Sequence, residues 1–83
     1  MKYQVYCFFD KQAGLFMAPM IDINEATAKR NFAMQVNKSS GSMNFSPSDY
    51  DLYRMGTFTD NTGVIECESP FEFICNGASV VGE

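Results

Sequence analysis

The sequence predicts a small α+β domain, an antiparallel sheet of about four strands in ββαββ order packed on one helix, with a short C-terminal helical turn. Three observations carry this expectation. Two stretches rich in aromatic and β-branched residues are each interrupted by turn chemistry at hairpin distance, Asp10-Lys11-Gln12-Ala13-Gly14 in the first and Asp60-Asn61-Thr62-Gly63 in the second. Between them lies one apolar stripe at helical spacing. The 83 residues, 46% hydrophobic with eight Phe and four Tyr, suffice for one aromatic core spanning 1–83 and for no second domain. A chain this short buries only roughly 60% of its unfolded surface, so its stability margin is thin.

Residues Tyr3 to Phe9 form the first expected strand, and Leu15 to Ile21 the second. Pro19 has no N–H to give to a central ladder, so the second strand should be short or lie at an edge. Asp22 or Asn24 can cap a helix over about Asn24 to Asn37, with Glu25 near the positive end of its dipole. Ala28, Phe32 and Val36 recur on one face with Ala33 beside them, while Lys29, Arg30, Asn31 and Gln35 fall on others. Ser39-Ser40-Gly41-Ser42 and Ser46-Pro47-Ser48 compete for local hydrogen bonds, which predicts an internal loop over 39–48 anchored by Met43 and Phe45. Tyr50 to Thr59 and Val64 to Glu68 then read as a second hairpin. Ser69-Pro70 opens a short helix through Phe71, Phe73, Ile74 and Cys75, ended by Asn76-Gly77.

Chemistry is sparse. Without histidine the chain lacks the commonest general base and metal ligand. Cys7, Cys67 and Cys75 are too widely spaced for a zinc site and are expected to be reduced and mostly buried. Neither a glycine-rich phosphate loop nor a nucleophile elbow occurs. No catalytic residue, metal or cofactor is therefore expected, and the chain should act by binding. Asp49, Asp51 and Asp60 flank strands and a turn, where capping explains them more simply than cation binding. No apolar run approaches the roughly 20 residues of a membrane helix, and no leader precedes the first strand, so a soluble cytoplasmic protein is expected.

A net charge of −4 is the wrong sign for a protein that coats phosphate backbone, so any nucleic-acid site must be local. Lys29, Arg30 and Arg54 can form a small patch with Tyr53 and Phe58, since a base stacks on an aromatic ring beside a cation. The plainer reading is a solvated helix face and a strand Arg paired with a carboxylate. Residues Phe71, Phe73, Ile74, Val80 and Val81 supply more apolar surface than four strands and one helix readily cover. Two outcomes stay open for the 71–83 tail: it packs on a second copy, for instance through strand addition by Ala78 to Val81, giving a homodimer, or it folds back on its own sheet.

The second hairpin carries the pattern Pro47-x-Asp49-Tyr50-x-Leu52-Tyr53-Arg54-Met55-Gly56-x-Phe58-x-Asp60-x-Thr62-Gly63. With Ala28-x-Arg30-x-Phe32, Val36-Asn37 and Tyr6-x-x-x-Asp10-x-x-Ala13 before it, the chain resembles the small non-structural proteins of gokushovirus-type microviruses, phages with circular single-stranded DNA genomes. The resemblance covers about residues 3 to 70. It implies a non-virion protein in the cytoplasm of an infected bacterium, serving the switch from replicative double-stranded DNA to single-stranded genome synthesis. Two partner classes follow: single-stranded DNA held weakly, or phage and host replication or procapsid proteins held by an adaptor that never touches DNA. The binding patch is read from the residues and not from the resemblance.

Overall fold

In a computed structural model, residues 1–38 and 41–82 are described; the 39–40 part of the expected loop and Glu83 of the tail lie outside the described residues, as does the side chain of Ser42. Strand β1 (Lys2–Asp10) is followed by β2 (Leu15–Phe16), β3 (Met20–Asp22), helices α1 (Glu25–Lys38) and α2 (Ser42–Phe45), then β4 (Tyr50–Thr59) and β5 (Val64–Asn76). Single 3-10 turns precede β4 at Pro47–Asp49 and follow β5 at Gly77–Val80. The sheet runs β2-β1-β4-β5, all antiparallel, with β3 paired to β1 beyond β2. The predicted second strand is thus two short ones on the same neighbour, separated at the proline as the missing N–H requires.

Alternation along β1 and β4 gives the sheet two faces. Tyr6, Phe8, Tyr50 and Leu52 point toward α1 and meet Ala28, Phe32, Ala33 and Val36, the stripe expected from spacing. Phe8 and Phe32 stack tilted with ring centroids 5.0 Å apart. Asn24 caps α1: its Oδ1 accepts from Thr27 N at 2.9 Å. Asp22 instead accepts from Ile23 N and Asn31 Nδ2, both at 2.8 Å, which satisfies a buried carboxylate.

Three parts of the sequence reading are corrected. The helix expected at 71–75 is strand: β5 continues through Pro70 to Asn76, Phe73 opposite Tyr53 and Glu72 opposite Arg54, because Phe71-Glu72-Phe73 alternates like the rest of the strand. Pro70 is tolerated there since β5 is an edge and residues 68–71 bulge between the Gly56–Cys67 and Arg54–Glu72 pairs. The C-terminal helical turn falls later than Phe71 to Cys75, at Gly77–Val80. Within the expected loop, Ser42–Phe45 form α2 and Pro47–Asp49 a 3-10 turn instead of irregular chain; Met43 anchors as predicted, but Phe45 is 90% exposed.

The tail turns back to its own core. Val80 is buried against the helix layer. Asn37 Nδ2 donates to Val80 O at 2.8 Å and Gly82 N donates to Asn37 Oδ1 at 2.7 Å, tying the tail to α1. Asn76 holds the preceding corner, its Nδ2 donating to Ser48 O, Tyr50 O and Asp51 Oδ1, and its Oδ1 accepting from Ala78 N.

Gly56 reveals why β5 lies so close. A Cβ built there would stand 1.9 Å from Glu66 O, so only a residue without one fits beneath the neighbouring backbone.

Candidate binding faces

The predicted patch does not assemble on one surface. Lys29 and Arg30 lie exposed on the outer side of α1, whereas Tyr53 and Phe58 project from the sheet face that α1 does not cover. Strand alternation places them there, since Leu52 and Tyr53 are neighbours and Leu52 fills the core under Phe32. Phe58 stacks on Tyr3 with centroids 6.4 Å apart, and Tyr53 joins an aromatic group with Phe9, Phe16 and Phe73.

Arg54 points to the helix side, where it is neutralised. Its Nε donates to Glu72 Oε1 at 2.8 Å, its Nη1 to Gln4 Oε1 at 3.0 Å, and its Nη2 pairs with Glu68. The guanidinium holds the Glu68 carboxyl below its ordinary range, chiefly through that hydrogen bond. Two carboxylates on one cation leave no net positive charge for a phosphate. This is the plainer reading of Arg54, a strand Arg paired with carboxylates.

Cations do collect on α1. Lys29, Arg30 and Lys38 border a shallow depression of about 460 Å³ whose remaining lining is Ala26, Ala33 and Met34. Residues 26, 30, 34 and 38 follow the i+4 row of one helix face, so a single straight helix aligns them. Among the described residues none of these three cations makes an ion pair, in contrast to Arg54. Lys38, which the sequence reading left out, belongs to this group; its i+8 spacing from Arg30 was the signal.

The uncovered sheet face is apolar. Val5, Cys7, Pro19, Ile21, Met55, Ile65 and Cys67 line a second depression of about 420 Å³. Beside it stand Phe16, Tyr53, Phe71 and Phe73, with edge-to-face contacts of 5.7 Å between Phe16 and Phe71 and between Tyr53 and Phe73. Burial pushes the Cys7 thiol up, with Cys67 adding to it, so Cys7 stays neutral. All three cysteines are free, Cys7 and Cys75 buried and Cys67 exposed. Among the described residues no cluster of His, Cys, Asp and Glu could hold a metal ion, and no helix is long and apolar enough to cross a membrane.

No curated protein and no solved structure matches the chain significantly. The sequence pattern of one family, described as phage ORF5 protein, matches residues 3–80, nearly the whole chain. It spans both hairpins, α1 and the turn that carries Val80, the elements that build the two faces. The chain belongs to the phage ORF5 protein family.

Proposed function

We propose that this phage protein is a non-catalytic accessory of viral DNA replication that holds single-stranded DNA weakly on the outer face of α1, in the cytoplasm of the infected bacterium. One observation carries the reading: in a chain of net charge −4, three of six cations gather unpaired around one depression. Flexible single strands can bring successive phosphates to Lys29, Arg30 and Lys38 while a splayed base or sugar covers Ala33 and Met34. A duplex keeps its bases inside and meets a short helix face at fewer points. The resemblance to gokushovirus-type proteins supports the place of this binding, at the switch to single-stranded genome synthesis. Contact is electrostatic, because the stacking aromatics stand on the other side of the sheet, and three cations release about two counterions at roughly 0.7 per phosphate. Titration of labelled single- and double-stranded oligonucleotides at two salt concentrations tests this. Single-strand preference with that shallow salt slope, lost in Lys29→Ala/Arg30→Ala/Lys38→Ala, is expected; equal affinity of the triple variant overturns it.

A second reading, an adaptor for replication or procapsid proteins that never touches DNA, is favoured by the apolar sheet face. Under that reading the triple variant supports normal phage yield, while a charge placed on the sheet face abolishes it.

A further inference from the structure

The apolar sheet face is larger than the scattered apolar residues of an ordinary surface. Ile21 is 47% exposed, Ile65 58%, Phe16 43%, Phe71 40% and Phe73 54%; although β2 and β3 lie at one edge of the sheet and β5 at the other, Ile21 and Ile65 line one depression and Phe16 touches Phe71 across β1 and β4. Leaving such a patch in water costs about 25 cal/mol per Å² of apolar area, and contiguous patches beyond a few hundred Å² mark interfaces. Among the described residues, the tail is committed to the helix side through Val80 and Asn37 and does not cover it.

We infer that this face is the interface of a symmetric homodimer, in which the sheets of two copies pack face to face with both α1 helices outward. Three features select a second copy as the occupant. The face carries a depression, lined by Val5, Cys7, Ile21, Met55, Ile65 and Cys67, directly beside an aromatic ridge of Phe71 and Phe73. A two-fold axis places each ridge over the other copy's depression, the self-complementarity that an isologous contact requires. The lining of that depression contains no charged side chain, so two chains of net charge −4 meet without like charges at the centre. Strand alternation achieves this on β5 by sending Glu66, Glu68 and Glu72 to the opposite side from Ile65, Cys67 and Phe73. Finally, the molecule measures 39 × 24 × 18 Å, and its broad side is large enough for the roughly 800 Å² per partner of a standard interface. The Phe71 and Phe73 part of the tail thus serves association, whereas Val80 serves the core.

Light scattering on the full chain from micromolar to millimolar concentration tests the inference. A mass rising to twice 9.3 kDa is expected. Ile65→Lys and Phe73→Lys, each with a native circular dichroism spectrum, should hold the mass at one chain. A wild-type protein that stays monomeric throughout, or a dimer that survives both substitutions, overturns it. The unaltered protein gives a second reading: Cys67 is exposed in one copy, so its alkylation should slow severalfold as concentration rises. A rate independent of concentration contradicts the interface. Neither measurement involves DNA, so the homodimer and the DNA-binding reading fail independently.

Discussion

Arg54 Nε donates to Glu72 Oε1 at 2.8 Å across the β4–β5 pair, and the same guanidinium reaches Glu68, the first residue of the bulge at 68–71. One cation therefore fastens both ends of the irregular segment in an edge strand. Its side chain is only 19% exposed, so these contacts are less screened than a surface pair.

Arg54→Ala should consequently destabilise the fold by about 1–2 kcal/mol, the range for losing hydrogen bonds to a charged group discounted for the exposed carboxylates. DNA affinity should be unchanged, since Arg54 has no free charge to offer. Urea unfolding and a DNA titration on the same preparation check both halves; a folded Arg54→Ala protein with weakened DNA binding contradicts this assignment.

The same ion pair sets a pH dependence. The Glu68 carboxyl is held below its ordinary value by Arg54, so its contribution is present above the unfolded value of about 4.3 and is lost as pH falls through the lower folded value. Melting temperature should fall with acidification in that window, and the fall should be shallower in Arg54→Ala. Parallel curves for the two proteins would remove the linkage.

Gly56→Ala should be among the most damaging single changes, on the order of 3 kcal/mol or more, because the added methyl meets the Glu66 carbonyl rather than a movable side chain. Loss of the cooperative thermal transition is expected. A melting temperature within a few degrees of the parent would mean that β4 and β5 do not approach as closely as described.

Phe32→Ala should cost about 3–5 kcal/mol, since the ring is fully buried against Phe8. Chemical denaturation measures this directly; an unchanged midpoint would place Phe32 outside the core.

Much of the fold was legible because periodicity reports burial. The stripe Ala28, Phe32, Val36 named its own buried face, and the turns at Gly14 and Gly63 sit at φ of 69° and 73°, where glycine is favoured. After Ser69 two local signals conflict, Ser-Pro as a common helix start and the strand-like alternation of Phe71, Glu72 and Phe73, and the pairing with β4 decides for strand. The residues of the expected patch divide between surfaces for a topological reason. Proximity in sequence put Tyr53 beside Arg54, but adjacent strand residues point to opposite faces, and no pattern in the sequence told which one the helix would cover. Lys38 joins the cations of α1 because the helix runs one residue past Asn37, the end that the spacing predicts.

The proposed functions divide between the two sides of the sheet, the basic face of α1 for DNA and the apolar face for a second copy. Amide chemical-shift mapping during addition of oligodeoxythymidine tests this division most directly. Shifts should concentrate at Ala26, Lys29, Arg30, Ala33, Met34 and Lys38 and leave Cys7, Tyr53, Ile65 and Phe73 unmoved. Shifts centred on Tyr53, Phe58 and Phe73, or none at saturating oligonucleotide, would contradict the account.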